Sequence, residues 1–488
     1  MSRIAIAFVT SIFAWQAAAS EPDGFIHRAA MFRGGFERIT LPENEAMGML
    51  GLNYLVETAP NLYIGGATYG ALTGQRGGFF TIGSEVAWHQ KLLPRWEWEA
   101  GLYAGGGGGG GATALVGGGL MLRPHVDLLW NFGAYRAGLS ASKVHFPSGQ
   151  ISSNQFGLVL SSGTEFLQLD PLHIGDTPDG NQRGGVGFDR VHAFIGSYQG
   201  KIFAQQGSNN TIGLVGFRME QMRSATNFWG IEAAGAASGG AAGYAEFLGT
   251  LGIEAPLLDR HAAIGARVAA GMGGGGAVSV GGGQLYKLGG YATASLSRNT
   301  HLSLESGYAA APDGQFRARY TTANLTMDLD HPYASSGQAE VDQYEWLVGA
   351  CRYVATAHID GGVNPMEVVA LKVNRYMGDT LYLSGQAHSA FHGKEGGYSA
   401  GLFGAGFRSP KLPGGLSLGA EMLLGAAGGG GVDSSGGAIA LPSAFLDWEL
   451  NDLFALRLGA GRIKSLEGTL DSRTVDVSIK FSYATASR

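Results

Sequence analysis

The sequence predicts an all-β protein, a transmembrane antiparallel β-barrel of about 24 strands. Glycine is the first reason: it accounts for 83 of 488 residues. Each glycine inside a helix costs roughly 1 kcal/mol relative to alanine, so a helical fold is excluded. The second reason is a period-two alternation of apolar and polar residues, and the third is a set of landmarks that recurs three times.

Disorder is the main alternative, because glycine-rich chains are often flexible. Against it, the chain has 24 Phe, 18 Tyr and 45% apolar residues, and these are distributed along its whole length. Collagen needs a strict three-residue period and abundant proline, whereas this chain has 15 prolines and no such period. The composition therefore favours a folded β protein.

The first twenty residues have the pattern of a secretory signal. Arg3 supplies the positive charge, residues 4–15 are apolar, and residues 17–19 are alanines. This predicts a signal peptide over 1–19 that is cleaved near Ala19. An uncleaved anchor is the alternative, but the apolar segment is too short to span a bilayer. No later segment has eighteen uninterrupted apolar residues, so any membrane crossing would use strands.

Charge and cysteine content exclude several function classes. The formal net charge is −6 and there is no basic run, so no nucleic-acid partner is expected. Cys351 is the only cysteine, which excludes an internal disulfide, multi-haem attachment and thiolate metal sites within the chain. No cofactor is expected.

The chain contains three copies of one unit. The segments NLYIGG, NFWGIE and TLYLSG begin at Asn61, Asn227 and Thr380, at spacings of 166 and 153 residues. A second matching segment and then a glycine run follow each of them, in the same order in all three copies. The units are expected to span residues 24–169, 189–329 and 343–484.

Eight strands are predicted in the first unit, so that three units give 24. Their predicted ranges are 24–37, 44–57, 60–73, 77–90, 95–105, 115–130, 133–146 and 152–168. About 9–11 residues per tilted strand cross the hydrocarbon, and the repeat length provides for this. The even strand number would place both ends of the mature chain on the periplasmic side.

We expect all 24 strands to form one barrel over residues 20–488. Three separate eight-stranded barrels are the alternative, because eight strands can close and the junctions 170–188 and 330–343 are long and polar. The single barrel is favoured because each separate barrel would pair its first and last strands without a local hairpin. One 24-stranded barrel would leave a channel of roughly 30 Å.

Polar positions of the alternating strands predict which residues line the lumen. In the segment WEWE, Trp96 and Trp98 would face lipid, and the two glutamates would face water. The candidate pore-lining residues are Glu97, Glu99, Arg218, Glu220, Arg317, Arg319, Arg457, Asp476 and Lys480. Their mixed charge argues against strong ion selectivity.

The tryptophans provide a check on this topology, because tryptophan prefers the membrane–water interface. All seven in the mature chain lie near turns or strand starts on the side of the termini. They are Trp88, Trp96, Trp98, Trp130, Trp229, Trp346 and Trp448. We expect them to form one girdle at the periplasmic rim.

The three glycine runs begin at Gly105, Gly273 and Gly428 and end at Gly111, Gly276 and Gly431. Each lies between the fifth and sixth strands of its unit and is therefore predicted to be an extracellular hairpin. The simplest interpretation is a flexible exposed loop. The functional hypothesis is that three such hairpins fold inward and gate a common lumen.

The last strand alternates and carries the aromatic residues Phe481 and Tyr483 close to its end. In this it resembles Gram-negative outer-membrane β-barrel channel proteins in general, although five further residues follow the last aromatic. The resemblance implies an outer-membrane location, in contact with outer-membrane lipid and lipopolysaccharide.

No enzyme is expected. Residues 397–401 match the pattern G-x-S-x-G, but that motif needs an α/β-hydrolase sheet, and the 12 histidines show no metal-ligand pairing. A permanent 30 Å hole would abolish the permeability barrier. We therefore expect a gated or partner-filled channel that exports a polysaccharide or protein, together with a periplasmic or lumen-filling protein. The alternatives are a structural sleeve around a partner protein and a passive diffusion porin.

Overall fold

A computed structural model describes residues 25–176, 184–204, 210–257, 261–331 and 340–487. The predicted signal peptide and parts of both predicted junctions lie outside these residues. The all-β fold class is confirmed: the described residues form 24 antiparallel strands, one single-turn α-helix, α1 (Thr113–Val116), and two 3₁₀ turns at Pro42–Asn44 and Pro171–His173. Among them, no helix is long and apolar enough to cross a membrane.

The first barrel consists of eight strands that pair in sequence order and close on themselves. Its strands are β1 (Ile26–Thr40), β2 (Ala46–Ala59), β3 (Leu62–Thr73), β4 (Phe79–Leu93), β5 (Trp96–Gly109), β6 (Met121–Asn131), β7 (Tyr135–His145) and β8 (Ser152–Gln168). All eight strands that the alternation predicts are present, and β8 coincides with the predicted range 152–168.

The second and third barrels repeat this arrangement. The second contains β9 (Arg190–Lys201), β10 (Asn210–Met222), β11 (Asn227–Ser238), β12 (Ala245–Leu257), β13 (Ala262–Gly274), β14 (Gln284–Ser295), β15 (Thr300–Ala310) and β16 (Arg317–Asp328). The third contains β17 (Glu340–Ala357), β18 (Val363–Tyr376), β19 (Leu381–His392), β20 (Ser399–Arg408), β21 (Leu416–Gly428), β22 (Ala438–Glu449), β23 (Phe454–Ser465) and β24 (Asp471–Ser487).

The expectation of one 24-stranded barrel was wrong, because each unit closes by itself. β1 pairs with β8 from Ile26↔Gln168 to Glu37↔Gly157, and β9 with β16 and β17 with β24 pair in the same way. The lack of a local hairpin does not prevent this closure, since the entropy cost of closing a loop rises only slowly with loop length. A long ladder of backbone hydrogen bonds stabilises each closing pair.

Each barrel has two ends. The terminal end is where its first strand begins and its last strand ends, and the glycine end is the opposite one, where the glycine runs lie. At the glycine end the interior is apolar and buried. In the first barrel this plug includes Ile39, Met47, Phe79, Val144 and Phe146. Equivalent apolar plugs fill the glycine ends of the second and third barrels.

At their glycine ends the barrels contact each other in cyclic order. Gly274 and Gly275 of the second barrel lie against the β3–β4 hairpin of the first, and Gly428 and Gly429 of the third lie against the β11–β12 hairpin of the second. The first barrel completes the cycle. There Gly108 lies against Gly397 of the third. At the glycine end the three interfaces thus have the same construction, which is expected of a closed ring of similar units.

These contacts require glycine because backbone meets backbone. A Cβ atom at Gly78 would lie 2.1 Å from the nitrogen of Gly275, and one at Gly428 would lie 2.2 Å from the nitrogen of Gly243. The amide of Gly77 also donates to the carbonyl of Gly281 at 2.9 Å, across the interface between the first two barrels. The glycine runs are therefore packing surfaces between barrels.

Candidate functional site

The first barrel contains a belt of buried charges between its terminal end and its apolar plug. Arg33 lies at its centre: its guanidinium contacts Glu85, lies 3.0 Å from Glu99, and donates to Asp127 at 2.5 Å. The ring of His125 lies 3.0 Å from the Glu85 carboxylate and 3.1 Å from that of Asp127. One arginine thus holds three carboxylates around it, away from water.

Further pairs extend this belt along the axis of the first barrel. Toward the plug, Arg123 donates to both Glu37 oxygens, at 2.8 and 3.0 Å. Toward the terminal end, Arg136 donates to Glu97 at 2.5 Å, and a ring nitrogen of His89 lies 2.9 Å from Glu97. Opposite charges therefore face each other across the lumen at three successive levels.

The second barrel has a belt of the same kind. Arg218 donates to Glu232 at 2.8 and 2.5 Å, and Lys287 donates to Glu232 at 2.7 Å and to Glu246 at 2.5 Å. A second arginine completes the network. Arg267 donates to Glu220 at 2.5 Å and also contacts Glu305.

In the third barrel the central residue is Arg457, which is 1% exposed. It donates to both oxygens of Asp447, at 2.7 and 2.9 Å, and to Glu421 at 3.2 Å. Lys480 bridges Asp447 and Glu345 at 2.9 and 3.0 Å. Burial disfavours each charge, but the surrounding opposite charges compensate for this.

The belts and plugs together close the lumens. Between the side chains of the first and third belts lie cavities of about 10 and 20 Å³, which is the space that one or two water molecules occupy. A solute that entered from the terminal end would have to displace paired charges and then an apolar plug. As far as the described residues extend, the barrels therefore hold no open passage.

Seven of the nine candidate pore-lining residues lie inside a barrel, although they do not line an open pore. They are Glu97, Glu99, Arg218, Glu220, Arg457, Asp476 and Lys480, and all are buried. Glu97 and Glu99 lie two residues apart on β5, and Arg218 and Glu220 lie two residues apart on β10. The alternation thus placed these residues on the inward faces of β5, β10, β23 and β24.

Arg317 and Arg319 were assigned to the lumen wrongly: both are exposed on the outer face of β16. Their neighbours Phe316, Ala318 and Tyr320 face inward and belong to the plug of the second barrel. Apolar and polar residues do alternate here. At the glycine end, however, the apolar residues face inward and the polar ones outward, because the apolar residues fill the plug.

Several belt residues escaped the sequence analysis, and Arg33 is the clearest case. Phe32 and Gly34, on either side of it, point outward. The next residues on the same inward face of the strand are Gly35 and Glu37. The two glycines have no side chain and therefore obscure the period. In β6, by contrast, Arg123, His125 and Asp127 occupy alternate positions, and this signal could have been used.

The tryptophans lie in the halves of the barrels nearer the terminal end, as the register of their strands shows. Trp96 pairs with Trp130, and Trp88 pairs with Leu62 beside a turn. Two others contact a neighbouring barrel: the ring of Trp229 lies 5.6 Å from that of Phe32, and the ring of Trp346 lies 5.2 Å from that of Phe166. Their placement at a membrane interface stays a prediction.

The gate hypothesis assumed one lumen that three hairpins could cover, whereas the described strands close three separate barrels and form no common lumen. Residues Gly105 to Gly109 lie within strand β5, and Gly273 and Gly428 lie in β13 and β21. The run that ends at Gly111 packs on the third barrel, while those that end at Gly276 and Gly431 pack on the first and second barrels.

Glu85, Glu99 and His125 lie close enough together to hold a metal ion, with ligand atoms within 4.8 Å of one another. The guanidinium of Arg33 contacts Glu85 and Glu99 directly, so the cluster already has a cation. We therefore interpret it as part of the charge belt.

No family model matches the chain, and the curated proteins include no match. Solved structures with some similarity include OpdQ of Pseudomonas aeruginosa, at 8% identity and a TM-score of 0.22, covering 96% of this chain and 100% of that one. OccAB3 of Acinetobacter baumannii has 9% identity and a TM-score of 0.22, with coverage of 94% and 99%. The siderophore receptor PirA of the same organism has 8% identity and a TM-score of 0.26, with coverage of 96% and 81%.

These neighbours are outer-membrane β-barrels of Gram-negative bacteria, the class that the sequence resembles. Their TM-scores are too low for a shared arrangement of strands.

Proposed function

We propose that the chain is a Gram-negative outer-membrane protein that spans the membrane with three closed barrels and acts there as a structural protein. The observation that carries this proposal is the polarity of the strands between the plug and the terminal end. There the outward side chains are apolar and the inward ones are charged or polar. This polarity is the stable arrangement of a barrel that is surrounded by lipid.

Strand β8 illustrates the outward face. Phe156, Leu158 and Leu160 point outward and are 82%, 64% and 56% exposed, whereas the alternate residues Val159 and Ser161 are buried. Similar exposed leucines and isoleucines occur on β12, β14, β15 and β21. In water a continuous apolar band of this extent would cause aggregation, whereas in a bilayer it contacts the acyl chains.

The closed lumens argue against the functions that need a wide passage. Export of a polysaccharide or protein, and a sleeve around a partner, both require the wide lumen of a single 24-stranded barrel. Here the chain's own charges and apolar plugs occupy the interior, so no lumen-filling partner is needed. A passive diffusion porin would likewise need an unfilled pore.

A gated channel for small ions is the second candidate, and the polar belts favour it. The belts supply polar groups along much of each barrel axis, and small cavities adjoin two of them. Opening would require the ion pairs to rearrange and the plug to move. The structural role is the simpler proposal because it requires neither change.

Membrane fractionation and planar-bilayer recording test the two candidates. We expect the full chain in the outer-membrane fraction, with heat-modifiable migration and no steady porin-sized conductance. A steady conductance of nanosiemens would contradict the closed barrels. Brief, small openings that change in Arg33→Gln, but not in Arg38→Gln on the outer face, would favour the ion channel instead.

We also propose that the terminal end faces the periplasm. Thr73 and the exposed Gln150 lie at the glycine end, whereas Asn61 and Asn451 lie in turns at the terminal end. In a Cys351→Ala background, cysteine at either of the first two positions should react with an impermeant maleimide on intact cells. Cysteine at either of the other two should not react, and the reverse pattern would mean the opposite orientation.

A further inference from the structure

The outer faces of the barrels change character just beyond the apolar band. On β24, Val477 and Val475 point outward and are 44% and 52% exposed. The next outward residue toward the glycine end is Arg473, which is also exposed. Two residues along a strand correspond to about 7 Å, so a positive charge lies at the depth where lipid headgroups begin.

In the third barrel this charge belongs to a patch of like charges. Arg473 and Arg462 are direct cross-strand partners in the β23–β24 register, and Lys464 follows on the same face of β23. Asp471 is the acidic residue of this patch, and Arg462 donates to both its oxygens at 2.6 and 2.7 Å. Like charges placed opposite each other destabilise a sheet, unless an anion lies between them.

The second barrel has a corresponding patch on its own first and last strands. Lys201 of β9 and Arg317 of β16 are direct cross-strand partners, and both are exposed. Arg319 lies two residues farther along the same face, with its guanidinium 5.7 Å from the ring centre of Tyr308. Tyr308 points outward and is 61% exposed, as an aromatic residue at a membrane interface would be.

We propose that these two patches bind the phosphate groups of the phosphorylated glycolipid that forms the outer leaflet. The proposal rests on the membrane location given above. Two cations on adjacent strands can hold one phosphate, and arginine can do so with two parallel hydrogen bonds. The ligand is a lipid because each patch adjoins the apolar band, so the same molecule's acyl chains lie against residues such as Val475.

The first barrel has a sparser version of the patch. Arg38 on β1 and Lys143 on β7 are exposed on its outer face, but they are not cross-strand partners. Lys143 pairs with Asn154 instead. We therefore expect two strong lipid sites on the chain, in the second and third barrels.

Binding of lipid A to the purified full chain tests this. The protein is refolded in detergent, and bound lipid A is counted by native mass spectrometry and titrated by fluorescence. The variants are Lys201→Gln/Arg317→Gln and Arg462→Gln/Arg473→Gln. The control is Lys91→Gln/Arg95→Gln, which removes two exposed charges at the terminal end of the first barrel.

Each patch variant should lose one bound lipid A per chain and weaken its site at least tenfold, whereas the control should bind like the wild type. Lipid A without phosphates should bind weakly to every form. The proposal is overturned if the control loses as much lipid A as the patch variants, or if the dephosphorylated lipid binds equally well. Displacement of lipid A by millimolar inorganic phosphate would also overturn it, because the site would then recognise a free anion.

Fractionation of the same variants separates this proposal from the one on which it rests. If the wild-type chain is absent from the outer membrane, the proposed function fails, whatever the lipid measurements show. If every form is in the membrane and heat-modifiable but lipid A binding does not differ, only the lipid sites fail.

Discussion

The two halves of each barrel have opposite polarity. On β24, the half toward the terminal end places Asp476 and Lys480 inside and Val475 and Val477 outside. Beyond Val475 the order reverses, with Arg473 outside and the apolar Leu470 in the plug. The same alternation thus serves two environments, and the medium around the barrel decides which face is apolar.

In the proposed membrane location, this difference follows from what surrounds each half. Lipid outside requires apolar side chains there and leaves the polar ones to satisfy each other in the lumen. Beyond the membrane, water covers the outer face, so the hydrophobic effect fills the interior instead. Each barrel therefore combines a membrane barrel with the apolar core of a water-soluble one, and the predictions below test that division.

The largest effect is expected from breaking a charge belt. Replacing the buried residue in Arg457→Met leaves Asp447, Glu421 and Glu345 with less compensating charge. Removing one partner of a buried ion network typically costs about 3–5 kcal/mol in the free energy of unfolding. Unfolding by urea in lipid vesicles, followed by tryptophan fluorescence, measures this change.

Arg462→Met is the matched control in the same strand. Arg462 is paired with Asp471 but lies in the other half, on the outer face, where its side chain is 65% exposed. Loss of such an exposed pair changes stability by about 1 kcal/mol or less. If both variants were equally destabilised, the belt would not be the buried network described here.

The second prediction compares the apolar part and the charged part of the outer face of β24. Val477→Arg places a charge in the apolar band, which costs about 2–4 kcal/mol near the middle of a bilayer. Arg473 lies four residues away on the same face. Arg473→Val should change stability by less than about 1 kcal/mol, as ordinary surface substitutions do. Equal effects in vesicle unfolding experiments would place the membrane boundary elsewhere.

Sequence reasoning located the strands of the first barrel because alternation and turns are local properties. Arg317 and Arg319 were misplaced because alternation separates two faces without saying which one faces the lumen. The closure into three barrels depends on pairs such as Ile26↔Gln168, which are far apart in sequence and leave no local signal. Arg33 was missed because its glycine neighbours hide the period.

The third prediction concerns the contacts between barrels at the glycine end. Gly243→Ala adds a methyl group 2.9 Å from the nitrogen of Gly429 and at a positive φ of 86°. Overpacking of this kind costs about 1–3 kcal/mol. We expect a loosened interface between the second and third barrels, measurable as faster hydrogen exchange at the amides of this hairpin and its neighbour.

Gly240→Ala separates crowding from backbone strain. Gly240 lies in the same hairpin at a φ of 76°, but a Cβ there would meet no atom within 4 Å. It should therefore cost only the backbone strain, about 1 kcal/mol, and leave hydrogen exchange in the third barrel unchanged. An equal change at that barrel in both variants would mean that the hairpins do not pack as described.

The smallest effect is a pH dependence at the glycine end of the third barrel. Asp433 accepts hydrogen bonds from the hydroxyls of Thr469 and Ser435, at 2.6 and 2.8 Å, and these bonds lower its pKa from 3.8 to about 2. A lowered pKa means that the carboxylate stabilises this contact between hairpins above pH 4. That contribution is lost as the pH falls from about 4 to about 2.

Carboxyl chemical shifts in a pH titration should give a midpoint near 2 for Asp433 in the folded chain. Thr469→Val removes the shorter of the two bonds and should move the midpoint upward. An unchanged midpoint in that variant would show that the hydroxyl does not hold the carboxylate.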